Sequence, residues 1–241
     1  MNNPKPLAGQ VILITGGTRG IGRAIAWRLL ADGAAVVICG RGKEAVEAVV
    51  RELQTEPGGK VAGKAADVTK HEQVQDLFRF VDEQFGRLDV LVNNAGTGVF
   101  RPLRDLTLDE WRTTIETNLS GAFYCSREAL FRYGTQGGGY IVNISSLAGK
   151  HAFAEGAAYN ASKFGLNGFT EALMQELRSE NVRVSYVMPG SVATGFGGNE
   201  TLGRDWKIWP EDVAEVVHML LTMPARTLVS AVELRPSKPK K

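Results

Sequence analysis

Seven short apolar runs alternate with segments in which apolar residues recur every three or four positions. The runs at 10–15, 35–39, 61–65, 88–92, 140–144, 182–188 and 228–234 are short and rich in Val and Ile, and they predict strands. Between them, 21–31, 43–53 and 70–85 carry helical patterns, the last with Val74, Leu77, Phe78 and Val81 on one face. Thr107 followed by Glu110 makes a capping box and opens a long helix predicted to run to residue 132. A further helix carries Tyr159, and Pro210-Glu211-Asp212 opens the last one with Pro in its first turn and acids beside it.

Strands that are apolar throughout are buried on both faces, and strand–helix alternation places helices on both sides of a parallel sheet. The pattern therefore predicts an α/β fold, a doubly wound seven-stranded parallel sheet in a single domain over residues 1–241, with tails at 1–8 and 236–241. Ligands of such sheets lie beyond the carboxyl ends of the strands. There is no internal repeat and no linker. Residues 195–209 have little periodicity and read as a loop able to close over a ligand.

Composition narrows the partners more than the chemistry. With 44% hydrophobic and 22% charged residues, the 241-residue chain reads as a soluble globular protein. Its 28 basic and 26 acidic residues leave a formal charge of +2, so no global field points to nucleic acid or a membrane. Neither a signal peptide nor a spanning segment is apparent, and the expected compartment is the cytoplasm. Cys39 and Cys125 sit in apolar stretches and read as reduced small hydrophobes; His71, His151 and His218 are scattered, so no metal site is expected.

Candidate chemistry lies at the predicted strand ends. After the first strand, Gly16, Gly20 and Gly22 lead into a helix, as a turn that cradles a pyrophosphate requires. The second strand ends in Gly40-Arg41 without the acid that would bind adenosine ribose hydroxyls. Arg19 and Arg41 together thus favour a 2′-phosphate, although either alone is as readily a surface residue. Asp67 can accept a hydrogen bond from an adenine amino group or, with Thr69, cap the next helix. Asn93 and Asn94 can bridge strand ends, and Ala95-Gly96 leaves room for a sugar or nicotinamide. Asn118 reads more readily as a capped or solvent-facing residue than as a functional one. Tyr159 and Lys163 share one helical face, and a fixed cation there favours the phenolate of a side chain whose ordinary pKa is about 10.

The motifs Thr15-Gly16-x-x-x-Gly20-x-Gly22, Asn93-Asn94-Ala95-Gly96, Asn118, Ser146, Tyr159-x-x-x-Lys163 and Pro189-Gly190 with Thr194 occur in register along the chain. In this the chain resembles the short-chain dehydrogenase/reductase family over essentially its whole length. The resemblance implies a Rossmann-type fold and an NADP(H)-dependent oxidoreductase that interconverts a ketone and a secondary alcohol. It implies that Tyr159 is the acid/base, that Lys163 lowers its pKa and binds the nicotinamide ribose, and that Ser146 holds the substrate oxygen. Asn118 would help hold a water-linked proton path to Lys163. The cofactor would lie against Gly16, Thr18, Arg19, Gly20, Ile21, Gly22, Arg41, Asp67, Val68, Asn94, Ala95 and Gly96, then Tyr159, Lys163, Pro189, Gly190, Val192 and Thr194. NADP(H) is expected over NAD(H). Ser145 competes with Ser146, and the thirteen-residue spacing to Tyr159 favours Ser146.

For the substrate, a carbonyl reductase is the expectation and a 3-oxoacyl-[acyl-carrier-protein] reductase the alternative. An acidic carrier calls for basic residues at the pocket mouth, yet the helix after Lys163 carries Glu171 and Glu176, and the chain ends in Val232-Glu233-Leu234-Arg235-Pro236 rather than the Val-Asp-Gly-Gly common in those reductases. Phe100, His151, Phe153, Phe196 and Trp206 are candidates to line an apolar pocket. A dinucleotide-sensing or scaffolding protein without turnover is the non-enzyme alternative, and family members usually form dimers or tetramers through the two long helices.

Overall fold

The computed structural model describes residues 5–196 and 206–238. Seven strands, β1 (Val11–Thr15), β2 (Ala35–Gly40), β3 (Lys60–Ala65), β4 (Val90–Asn93), β5 (Gly139–Ile144), β6 (Val182–Pro189) and β7 (Ala231–Leu234), form one sheet. Its order is β3-β2-β1-β4-β5-β6-β7 and every pairing is parallel. The order reverses between β1 and β4, which opens a crevice at their carboxyl ends.

Side chains alternate across the sheet, so each strand feeds two cores. Ile12, Ile14, Val36 and Ile38 meet α1 (Gly20–Ala31), α2 (Lys43–Leu53) and α7 (Pro210–Thr222) through Ile25, Leu29, Val46 and Val217. Val11, Leu13, Val37 and Leu91 meet α3 (His71–Phe85), α5 (Gly121–Gln136) and α6 (Ala157–Leu177) through Phe78, Val81, Cys125 and Leu173. Each such fully buried aliphatic contributes roughly 1.5–3 kcal/mol relative to leaving it in water. Both cysteines are free and buried. Among the described residues no helix is long and apolar enough to cross a membrane, and no cluster of His, Cys, Asp or Glu forms a metal site.

Three predicted elements move by more than one residue. The fourth strand starts at Val90, because the Asp89 carboxylate accepts the Val11 amide at 2.8 Å and Gln136 bonds the Leu88 backbone. The last strand begins at Ala231 instead of 228. The helix expected over 107–132 has the predicted capping box at Thr107, with Glu110 N to Thr107 Oγ1 at 3.2 Å. It is not one α-helix, however: α4 (Leu108–Ile115) passes through a π-helical turn, Glu116–Ser120, into α5, which ends at Gly137 in the left-handed region. Such turns insert one extra residue into a helix and recur at functional sites. Asn118 lies inside it.

Candidate active site

The turn after β1 is shaped by close packing. Gly16 has φ of +65°, and a Cβ there would sit 2.9 Å from Ala95 Cα; a Cβ on Gly22 would sit 2.4 Å from Asn94 Nδ2 and from Gly16 O. The Asn94 amide donates to the carbonyls of Thr15 and Gly16 at 2.9 and 3.0 Å, and Thr15 Oγ1 accepts the Asn94 and Ala95 amides, each at 3.0 Å. Asn94 thus joins β4 to the glycine turn with its side chain. Its partner Asn93 bonds Asn143 and Ser126, bridging strand ends as expected.

The first turn of α1 has no side-chain cap and no acidic residue, so its amides and positive dipole end have no side-chain acceptor among the described residues. Ile21 is half-buried there, and Thr18 packs over Gly40, where a Cβ would meet Thr18 Cγ2 at 2.8 Å. Across the opening, Thr194 Cγ2 lies 3.2 Å from where a Cβ of Gly20 would stand. Arg19 and Arg41 are exposed at the ends of the β1 and β2 turns, whereas neighbouring Arg23 and Arg28 are held by Glu52 and by Asp32 with Glu215. Asp67 Oδ1 accepts the Thr69 amide at 3.0 Å in an Asx turn; the residue capping α3 is Lys70, so Asp67 is not the helix cap. Val68 is buried against Gly121.

Along β5 and α6 the structure separates the two serines. Ser145 is buried and donates to Asn167, while Ser146 is half-exposed, accepts the Ala148 amide at 3.1 Å and lies beside Tyr159. Asn160 and Asn167, seven residues apart on the buried face of α6, fasten the loop after Ser146: Asn160 donates to Ala148 O at 2.7 Å and Asn167 to Gly149 O at 3.0 Å. Neither was singled out from the sequence; buried amides in phase with Tyr159 and Lys163 are the signal that marks them.

Lys163 is 4% exposed, and its Nζ donates to Ile144 O at 2.9 Å and stands 5.9 Å from the Tyr159 ring centroid. Burial lowers its pKa to about 8. Burial also raises that of Tyr159, with neighbouring Ser146 opposing. The net shift of Tyr159 is upward because both groups are desolvated together, Lys163 standing beside the ring while its ammonium bonds the Ile144 carbonyl. Asn118 reaches the same place, since a Cβ on Gly96 would lie 3.4 Å from Asn118 Oδ1 and 3.9 Å from Lys163 Nζ. The amide of Asn118 is buried and fully bonded, to Thr97 N and O and to Ser162 Oγ, so it is neither capped nor solvent-facing.

After β6, Pro189 is buried and Gly190 packs on Leu147, while Val192 bridges Ile208 and Thr194 Oγ1 accepts the Phe196 amide at 3.3 Å. Of the expected aromatic lining, Phe100 and Phe196 flank the Tyr159 ring with Phe153 beyond. His151 is instead exposed against Arg235, and Trp206 lies under Lys207. Residues 197–205 of the expected closing loop fall outside the described residues.

Comparisons with known proteins give the family of a chain with this fold. The model of the short chain dehydrogenase family matches residues 10–204, and the chain belongs to that family of oxidoreductases. An uncharacterized oxidoreductase of Staphylococcus aureus (strain MRSA252) is 33% identical over 230 residues, 95% of this chain and 98% of that one. A metagenomic short-chain oxidoreductase in complex with NADP is 39% identical with a TM-score of 0.85, over 97% of this chain and 100% of that one. The alcohol dehydrogenase of the archaeon Thermococcus sibiricus, complexed with 5-hydroxy-NADP, is 32% identical with a TM-score of 0.89, over 96% and 99%.

Proposed function

We infer that this protein is an NADP(H)-dependent carbonyl reductase, interconverting a ketone and a secondary alcohol. The observation that carries the reading is the convergence of Ser146, Tyr159 and Lys163 at the carboxyl end of β5, with Ser146 beside the Tyr159 hydroxyl and Lys163 buried behind it. NADPH, when bound, supplies the hydride. The α1 amides and the close glycine turn suit its pyrophosphate, and the exposed guanidinium groups of Arg19 and Arg41 suit a 2′-phosphate. The NADP carried by the two solved relatives supports the same preference.

In reduction, negative charge grows on the carbonyl oxygen, and Ser146 stabilises it while Tyr159 gives up its proton. The raised pKa of Tyr159 keeps that proton in place at neutral pH. Lys163, next to the ring, stabilises the phenolate left behind, and Asn118 holds the Thr97 backbone beside it. Tyr159→Phe preserves the ring packing and removes the acid. It is expected to lower turnover about a hundredfold to ten-thousandfold with NADPH affinity retained; full activity in that variant sinks the role. A chain that binds NADPH but turns over no ketone, 3-oxoacyl thioester or secondary alcohol is instead the dinucleotide-binding alternative.

The same reading includes a homo-oligomer. Leu108 and Trp111 on α4, Phe123 and Phe131 on α5 and Phe164 on α6 are exposed, a concentration of apolar surface that fits a second copy. Sedimentation as a monomer alone counts against it.

A further inference from the structure

The Tyr159 ring is enclosed by phenylalanines from two different strand ends. Phe100, after β4, meets it edge-on with centroids 5.4 Å apart and planes at 80°; Phe196, after β6, lies 5.6 Å away at 54°. The two rings close over Gly98, where a Cβ would stand 2.7 Å from Phe196 Cε1 and 2.9 Å from Phe100 Cζ. Phe153 extends the surface, 5.8 Å from Phe100 and 48% exposed. Tyr159 is left 9% exposed.

Phe100 is held from both sides. Thr97 bonds Asn118 through its amide and carbonyl, and the Arg101 amide donates to Glu155 O at 2.9 Å. Phe196 is tied to Thr194 through its own amide. Among the described residues, three cations near these segments have carboxylate partners: Arg101 pairs with Glu110 at 2.9 Å, and Lys150 and Arg235 both pair with Glu233. A substrate carboxylate drawn to any of these three would have to break its pair; a flat apolar ring finds edges and faces of its own kind.

We propose that Phe100, Phe153 and Phe196 form the substrate wall of the site and select a ketone bearing an aromatic ring beside the carbonyl, over a 3-oxo acid. This rests on the carbonyl-reductase reading and deepens it. The ketone carbon takes the hydride of NADPH, its oxygen takes the Tyr159 proton, and NADP+ and the aryl alcohol leave. The ring of the substrate inserts where Phe100 and Phe196 now meet. Phe100 stays as the fixed side, and Phe196 gives way.

The test compares kcat/KM for acetophenone and for acetoacetate with saturating NADPH. Wild-type protein is expected to favour acetophenone at least about tenfold, and Phe100→Ala and Phe196→Ala are each expected to lower that ratio about tenfold, the scale of losing one well-packed ring contact. Phe100→Leu, which keeps apolar bulk without the ring, falls between. A preference for acetoacetate, or a ratio that neither substitution moves, overturns the wall. If no ketone is turned over, the carbonyl-reductase reading fails, and titration of 1-phenylethanol into the NADPH-saturated protein still decides the wall. Binding about tenfold weaker in Phe100→Ala supports it, and binding that is equal in the two proteins, or absent in both, overturns it.

Discussion

Asn118 and Thr97 are joined by a reciprocal pair of hydrogen bonds: Thr97 N donates to Asn118 Oδ1 at 2.8 Å, and Asn118 Nδ2 donates to Thr97 O at 2.9 Å. The side-chain amide thereby completes the backbone hydrogen bonding of the segment after β4, and its remaining proton goes to Ser162 Oγ on α6. One residue in a π-helical turn couples the strand end to the helix of Tyr159 and Lys163.

Asn118→Asp keeps the acceptor for Thr97 N and loses both donated bonds. Thr97 O would then face a carboxylate in a buried position. The expected loss is about 1–3 kcal/mol of stability, the cost of an unsatisfied buried polar group, together with lower turnover. Urea unfolding followed by circular dichroism, with the wild-type midpoint as reference, checks it; an unchanged midpoint shows that the pair does not support the fold.

Lys163 makes activity depend on pH in a defined direction. Burial brings its pKa from 10.5 to about 8, so the folded protein loses this proton well before an exposed lysine would. Ketone reduction is expected to fall as pH rises through about 8, as the cation beside the departing phenolate disappears. For stability the sign is opposite: between about 8 and 10.5 the unfolded chain binds the proton that the folded one has shed, so this residue's contribution to stability rises with pH. A pH profile of kcat/KM, paired with denaturation of wild type and Lys163→Met across that range, separates the two effects. A flat profile from pH 7 to 9 contradicts the assignment.

Much of this is legible in the sequence, and unevenly so. The seven strands and the placing of the glycine turn after the first of them followed from apolar periodicity, because both faces of each inner strand are buried and leave continuous Val and Ile runs. The π-helical turn did not show, since Ile115, Leu119 and Phe123 keep an unbroken helical spacing across it. The pairing of Tyr159 with Lys163 was visible as a spacing, but the ammonium's bond to Ile144 O joins residues nineteen apart and leaves no local pattern. Spacing to Tyr159 already favoured Ser146, but the bond that occupies Ser145, to Asn167, left no local pattern, and separating Phe100, Phe153 and Phe196 from His151 and Trp206 needed three loops brought together. Where side chains face a neighbour distant in sequence, periodicity carries no trace of them.

Cofactor choice is expected to turn on Arg41. It stands exposed immediately after β2, where an acid would bind ribose hydroxyls and a guanidinium binds phosphate. Arg41→Asp is expected to lower kcat/KM for NADPH about tenfold to a hundredfold, the range for losing a hydrogen bond to a charged group, and to lower it less for NADH. Steady-state kinetics with both cofactors checks this, and equal losses for the two would show that Arg41 does not reach the 2′-position.

The glycine turn yields the sharpest stability prediction, because two constraints meet at Gly22. A methyl group there would lie 2.4 Å from Asn94 Nδ2 and from Gly16 O, the two partners whose own hydrogen bond measures 3.0 Å. Neither can retreat freely: Asn94 is also committed to Thr15 O, and Gly16 lies against Ala95. Gly22→Ala must therefore displace the junction of β1 and β4 as well as α1, at a cost of about 1–3 kcal/mol for overpacking. Gly86→Ala is an informative contrast, since nothing lies within 4 Å of a Cβ there and only its φ of +71° penalises the change. In Gly22→Ala the loss of stability should come with weaker NADPH binding, because the α1 amides move with the turn; in Gly86→Ala, at the far end of α3, stability alone should fall. Thermal unfolding and NADPH titration of both variants test this, and intact NADPH affinity in a destabilised Gly22→Ala would separate the turn from the cofactor.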